Sequence, residues 1–262
     1  MTETEQTERS SARMNAFFDH VRVVLVGTIH SGNIGSTARA MKNMGLHRLY
    51  LVDPVEFPSR EASYMSVSAS DLLDTAVVVP TMMDAVGDCA LVIGTSARER
   101  KIQLPTARPR EMAERCVQRF EGQEIALVFG REDSGLNNEE MRLCHLHVHV
   151  PTSENYSSLN LSAAVQLLVY ELRIAALDHL DQANDGPVWD SPLATAEGLE
   201  RYYKHLEETL IEVGFLNPAA PRQLMARLRR LYGRIELDQM ELNILRGMLT
   251  EIQKTIRGER NT

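Results

Sequence analysis

Five short apolar runs separated by helical stretches constrain the fold of this chain more than any other feature. VRVVLV (21–26), RLYLV (48–52), TAVVV (75–79), ALVIG (90–94) and IALVFG (125–130) are rich in β-branched residues, the composition of strands covered on both faces. NIGSTARAMKNMG (33–45), TMMDAVGD (81–88) and RPREMAERCVQRF (108–120) lie between them with helical spacing. The alternation predicts an α/β domain with a mostly parallel sheet. HLHVHVP (145–151) reads as its last strand and NLSAAVQLLVYELRIAALDHL (160–180) as a long closing helix.

QANDGPVWDSP (182–192) collects Gly, two Pro and acids, the signature of a linker. Beyond it the pattern is helical over 193–213, 221–234 and 236–257, with Asn217-Pro218 separating the first two. The expected organisation is a flexible tail over 1–19, an α/β domain over 20–181, the linker, and a small all-helical extension over 193–262. The opening MTETEQTERSSAR is polar and resembles neither a secretory signal nor a transit peptide. No apolar run approaches the roughly 20 residues of a bilayer crossing, so no membrane partner is expected. Cys89, Cys116 and Cys144 are an odd set with no close pair, which argues against a disulfide framework and for a reducing, cytoplasmic setting.

A net charge of -8 argues against indiscriminate nucleic-acid binding, which depends on neutralising phosphates. The charge is unevenly placed, however. Residues 21–60 carry five bases and two acids, and residues 95–131 eight and five, each net +3. Residues 61–94 are net -5, and 132–190 hold two bases against ten acids. RQLMARLRRLYGR (222–234) has five arginines and no acid beside Tyr232. Arg222, Arg229 and Arg230 on one helical face would form a phosphate-binding edge; the alternative is a solvated face paired with the Glu-rich helix before it.

GTIHSGNIG (27–35) follows a strand and opens a helix, but it is no phosphate loop. It lacks the Lys-Ser/Thr of a Walker A motif, and Gly27, Gly32 and Gly35 miss the G-x-G-x-x-G interval even though Asp53 sits at a ribose-binding distance. On the following helix Ile34, Ala38, Met41 and Gly45 share the apolar stripe, while Ser36, Arg39 and Asn43 project from the other side. His145, His147 and His149 alternate along one strand face; with no carboxylate close behind, a partly exposed face is expected and no metal site. Ligands of open α/β sheets bind beyond the carboxyl ends of the strands. Those ends carry Gly94-Thr95-Ser96-Ala97-Arg98, Gly130 to Leu136, and Pro151 to Asn160, loops of small residues able to present main-chain groups.

NIGSTAR (33–39), FGREDSGL (129–136) and VPTSENYSSLNLSAAVQLLVYE (150–171) resemble the three motifs of the SPOUT superfamily of RNA methyltransferases, on the SpoU-like branch that methylates ribose 2′-hydroxyls. GTSAR (94–98), NYSSLNL (155–161) and Thr152-Ser153-Glu154-Asn155 where many relatives place a Gly point within it to enzymes acting on tRNA cytidine and uridine. The resemblance covers 20–180 densely and the helical tail loosely. It implies a deep trefoil knot, a homodimer with the site shared across the interface, and S-adenosyl-L-methionine as cofactor. It further implies that Thr95, Ser96, Ala97, Gly130, Val150, Ser157, Ser158 and Leu159 hold that cofactor. Arg39 is implied as the catalytic contact to the 2′-hydroxyl, with Asn33, Glu132 and Asn160 supporting it. Lys42 and Arg131 are expected to join Arg222, Arg229 and Arg230 in touching RNA. The implied substrate is the ribose of nucleotide 32 in the tRNA anticodon loop. The rival readings are a noncatalytic RNA-binding module of the same fold, a 2′-O-methyltransferase acting on another tRNA or rRNA site, and a Rossmann-type nucleotide enzyme.

Overall fold

The computed structural model describes residues 12–96, 104–119, 122–153, 155, 158–179 and 191–258. The chain divides into two compact units, Met1–Pro187 and Val188–Thr262.

The first unit is built on seven parallel strands: β1 (Val21–Val26), β2 (Arg48–Val52), β3 (Val77–Val79), β4 (Leu91–Thr95), β5 (Thr106–Ala107), β6 (Ile125–Phe129) and β7 (Leu146–Val148), in the order β3-β2-β1-β6-β4-β7-β5. The central strands β1 and β6 are buried throughout, as their unbroken apolar runs require. The third run behaves differently. β3 is an edge strand, and Val77 and Val78 are 41% and 52% exposed.

The helices are α1 (residues 12–18), α2 (Ser31–Met44), α3 (Arg60–Ser66), α4 (Ser70–Asp74), α5 (Met82–Val86), α6 (Pro109–Arg119), α7 (Asn138–Arg142) and α8 (Leu161–His179). Of the tail expected over 1–19, residues 1–11 lie outside the described residues, while residues 12–18 form α1; there Phe17 and Phe18 are almost fully buried with tilted rings 5.5 Å apart, apolar burial that anchors this end of the chain. α2 buries Ile34, Ala38 and Met41 as its spacing predicts, and ends at Gly45, whose φ of +85° places it in an exposed left-handed cap instead of the apolar stripe. α2 packs on α3 and α8, and α8 packs also on α6. The approach of α3 is close: a Cβ on Gly35 would lie 2.1 Å from the Ala62 carbonyl oxygen.

β7 lies between β4 and β5 and is buried; of the histidine face, His147 is buried while His145 and His149 are partly exposed, as the alternation predicts. The Val92 N–H donates to His145 Nδ1 at 3.1 Å. Burial, reinforced by the charge of Arg115, drives the His145 pKa down to about 4, leaving a neutral, structural imidazole. Among the described residues, no three His, Cys, Asp or Glu side chains gather as a metal site. The segments through which a knot would thread include 97–103, 154, 156 and 157, outside the described residues.

At the amino ends of the strands, buried Arg22 donates to the Ala85 carbonyl at 2.9 Å, to both Asp88 carboxylate oxygens at 2.7 Å and to Glu124. Glu124 also accepts from Arg48 and pairs with His20. Two of the five bases of residues 21–60 are thus committed to holding the sheet together.

The second unit contains α9 (Ala196–Glu212), α10 (Leu224–Gly233) and α11 (Gln239–Arg257). Thr195 and Asp238 cap α9 and α11, the latter through a capping box with Glu241. Leu199, Tyr202, Tyr203, Leu206, Leu242 and Leu249 form its core. Tyr232 packs edge-on against Tyr202, ring centroids 5.1 Å apart, so it completes this core beside the arginines. Apart from Ser191 and Pro192, the linker read at 182–192 lies outside the described residues.

Candidate active site

The loops after β4, β6 and β7 meet in one cleft. Thr95 and Ser96 form one wall, Gly130 to Gly135 a second, and Val150, Thr152, Ser158 and Leu159 a third, while Phe129, Val148, Leu161 and Leu168 add apolar surface. A cleft with an apolar interior and small polar groups at its edges suits a ligand that has both characters. Ala97 and Ser157, expected here, lie outside the described residues.

The second wall depends on glycine. The loop folds back so tightly that a Cβ on Gly130 would lie 2.2 Å from the Gly135 carbonyl carbon and the Leu136 nitrogen. The Gly135 N–H closes the turn on the Arg131 carbonyl at 2.8 Å, with Gly135 at φ +69°, a conformation that glycine adopts without strain. The first wall is fixed by the Thr95 hydroxyl, which donates to the Val128 carbonyl at 3.1 Å.

Glu132, on the second wall, ties this loop to the first motif. Its carboxylate accepts from the main-chain N–H of Ile29 at 2.9 Å and of His30 at 3.2 Å, and from Asn33 Nδ2 at 2.9 Å. Partial burial alone would raise its pKa, but these donors more than offset it and hold the carboxyl below its ordinary value. The Asn33 Oδ1 in turn accepts from Asn160 Nδ2 at 3.0 Å. Asn160 Oδ1 accepts from the Ser162 N–H and hydroxyl, at 3.0 and 2.7 Å, and so caps α8. Three segments up to 127 residues apart are thereby joined in one chain of hydrogen bonds.

The expected cations divide into two groups. Arg39 is exposed on α2, one turn beyond Ser36, and has no hydrogen bond or ion pair among the described residues; it does not line the cleft of the single chain. Lys42 donates to the Ser68 carbonyl at 2.8 Å and to Asp71 at 2.7 Å. Arg131 lies over Gly27, where a Cβ would sit 2.6 Å from its Nε, and reaches both carboxylate oxygens of Glu140 at 3.0 and 3.1 Å. Arg229 grips Glu200 with both terminal nitrogens and covers the Tyr203 ring at 4.4 Å. For Arg229 the paired-face alternative is therefore what the structure contains. Arg222 corrects the shared helical face: it precedes α10 at φ +51° and is exposed, whereas Arg230 lies in the last turn of α10.

The sequence reading missed His30, Glu61 and Ser162. With Gly32, Asn33, Ser36, Met65 and Asn160 they line a second concavity beside the Asn33–Asn160 bond. Glu61 accepts from the Ser31 hydroxyl at 2.9 Å, and a Cβ on Gly32 would crowd its Oε1 at 2.9 Å. The helix that carries Glu61 is seven residues long, too short to register as periodicity. The three cysteines are buried, and burial lifts the pKa of Cys89 and Cys116 to about 12 and that of Cys144 still further, so none supplies a thiolate nucleophile.

A parallel sheet with three small-residue loops closing one cleft, cross-linked by Asn33, Glu132 and Asn160, is the arrangement the three motifs describe. The SpoU rRNA Methylase family model matches residues 20–170, and the chain belongs to that family. The C-terminal domain of the tRNA methyltransferase TrmJ matches residues 197–261. Over 247 residues the chain is 51% identical to the tRNA (cytidine/uridine/adenosine-2′-O-)-methyltransferase TrmJ of Pseudomonas aeruginosa, covering 92% of this chain and 96% of that one. It is 49% identical over 237 residues to the tRNA (cytidine/uridine-2′-O-)-methyltransferase TrmJ of Pectobacterium atrosepticum, covering 90% and 98%. The crystal structure of TrmJ from Z. mobilis superposes with a TM-score of 0.75 at 32% identity, covering 89% of this chain and 99% of that one.

Proposed function

We propose that this protein is a cytoplasmic methyltransferase that uses S-adenosyl-L-methionine to methylate the ribose 2′-oxygen of nucleotide 32 in the tRNA anticodon loop. It would act as a knotted homodimer whose active site is completed across the interface. The observation that carries this reading is the Glu132–Asn33–Asn160 chain, which brings the three motif segments onto one cleft. The paired family matches and the tRNA-modifying relatives support the substrate class.

The cleft fits the cofactor in kind: apolar surface for an adenine ring, small side chains that admit main-chain contact, and the Gly130 turn, where a Cβ would collide. Thr95, Ser96, Gly130, Val150, Ser158 and Leu159 would hold it, with Ala97 and Ser157 on the same two loops. The cofactor supplies an electrophilic methyl group on a sulfonium. Methyl transfer is an in-line displacement, so the protein must align the 2′-oxygen and manage one proton. Arg39 is the residue for that oxygen. A guanidinium stays protonated, so its role is to hold the oxygen and stabilise the charge that develops there, while water or an RNA phosphate takes the proton. Its exposure, away from the cleft of its own chain, supports a site to which the partner contributes. Arg222 and Arg230 would add phosphate contacts from the helical extension.

Incubation with unmodified tRNA and labelled S-adenosyl-L-methionine, followed by mass-spectrometric mapping, tests the reading. A 2′-O-methyl group at nucleotide 32 is expected; cofactor binding without transfer would instead identify a noncatalytic RNA-binding module. Relatives differ in whether adenosine appears beside cytidine and uridine in their names, so all four bases at the target belong in the assay. Truncation after Pro187 is expected to weaken tRNA binding and flatten its salt dependence while leaving cofactor affinity unchanged. Filter binding at several salt concentrations measures the first effect and calorimetry the second.

A further inference from the structure

Val67 stands where neither burial nor backbone favours a valine. It is 61% exposed, and it holds φ +53° and ψ -112° at the end of α3, a conformation that a β-branched side chain adopts only under strain. The other non-glycine residues at positive φ among the described residues are Asp53, Arg222 and Glu236, none of them β-branched. Such strain persists where the surroundings enforce it, and here they do so on both sides. Ser66 is buried against α2, where a Cβ on Gly35 would lie 2.9 Å from its nitrogen, and its hydroxyl donates to the Ser63 carbonyl at 2.8 Å. On the other side the Ser68 carbonyl is held by Lys42, itself tied to Asp71, and Ala69 is buried. A glycine would relieve the backbone and a polar residue would suit the exposure, so the packing of the chain does not account for a valine.

The neighbours of the turn do. Gly35, Arg39 and Lys42 follow one another along one row of α2 at helical spacings of four and three. Ser66 meets this row at Gly35 and Ser68 meets it at Lys42, so the turn that carries Val67 passes beside Arg39. Met65, 41% exposed, lines the second concavity together with Ser36, one turn before Arg39. His30, Glu61, Asn160 and Ser162 give that concavity polar groups beside the apolar side chain. An apolar ledge edged by hydrogen-bonding groups suits an unstacked nucleobase, whose face is apolar and whose edge is polar. The Glu61 carboxylate disfavours a phosphate in the same place. A base and its 2′-oxygen hang from adjacent ribose carbons, so a nucleotide held at Arg39 has its base within reach of this ledge.

We infer that Met65 and Val67 form the ledge on which the base of the methylated nucleotide rests while Arg39 of the same chain holds its 2′-oxygen. They are positioning residues for the transfer, and the inference rests on the methyl-transfer reading above. An apolar ledge meets the face of a base and not its edge, so it orients the nucleotide without choosing among bases.

Single-turnover transfer at saturating tRNA, with the methylated nucleotide mapped first, tests it. Val67→Gly is expected to melt at or above the wild-type temperature, since glycine adopts this backbone freely. It should nevertheless transfer the methyl group about tenfold more slowly, the scale of losing a small apolar contact in a binding site. A purely structural Val67 would leave the rate unchanged. Met65→Gln should also slow transfer and Met65→Leu should not, while Val78→Thr, exposed on the edge strand β3, should have no effect. The deciding substrate is the same tRNA with an abasic ribose at the methylated nucleotide, on which wild type and Val67→Gly should transfer at one common, slower rate. A wild-type rate for Val67→Gly on intact tRNA overturns the inference. So does an undiminished loss on the abasic tRNA, which would assign the turn to a neighbouring nucleotide or, where sedimentation shows a weakened dimer, to the partner protomer. A wild-type protein that methylates no tRNA nucleotide would instead refute the methyl-transfer reading, and the ledge with it.

Discussion

Arg39→Ala is expected to lower the rate of methyl transfer by at least about 10²–10³-fold, the usual effect of removing one group that stabilises developing negative charge, while cofactor affinity and thermal stability stay unchanged. The separation follows from position. Arg39 is exposed on α2, bonds to no described residue and does not line the cleft, so its loss leaves neither a buried partner unsatisfied nor a cofactor contact broken. Single-turnover transfer from labelled S-adenosyl-L-methionine to saturating tRNA gives the rate, and calorimetry with the cofactor alone gives the affinity. Arg39→Lys should recover little, since an ammonium cannot reproduce the planar donor fork. Turnover at the wild-type rate in Arg39→Ala would remove this residue from the mechanism.

Glu132→Ala should affect stability as well as activity. The substitution strands the Ile29 N–H, the His30 N–H and the Asn33 amide together. His30 is exposed and Ile29 and Asn33 are half-buried, so water takes up part of the loss and the cost lies near the low end of the about 1–3 kcal/mol of a buried unsatisfied donor; the freed Asn33 also loosens Asn160 at the start of α8. Urea unfolding should show a loss of that order, accompanied by a sharp fall in methyl transfer. Glu132→Gln, which keeps an acceptor oxygen, should fall between. The sign of the pH dependence follows from the lowered pKa of Glu132. Its stabilisation is present above the ordinary Glu pKa of about 4.3 and disappears as pH falls through the lower folded value. The stability gap between wild type and Glu132→Gln should therefore narrow in acid, and a gap that widened would exclude the ionised carboxylate as the acceptor.

The strands were legible because a parallel sheet buried on both faces needs unbroken apolar runs, and β1, β2, β4 and β6 have them. β5 was not, because its two residues carry no period. Neither were α3 and α4, short segments held by contact with α2 at Gly35 more than by a pattern of their own. The positions of the site residues could be read from motif and loop, but their connections could not. Asn33 and Glu132 are 99 residues apart and Asn33 and Asn160 127 apart, and only the fold brings them together. The cations show the same limit. Counting charge located Lys42, Arg131 and Arg229 but not Asp71, Glu140 and Glu200, which engage them.

Arg22, Arg48 and Glu124 sit at the amino ends of their strands, whereas the cleft opens at the carboxyl ends. In an all-parallel sheet those are opposite rims, so the molecule has a passive edge and a working edge with the length of the strands between them. Selection can then adjust the folding of this protein to a new temperature or acidity at the passive edge without disturbing the reaction. The same rim is the place for an engineer to harden the enzyme while leaving its choice of substrate alone.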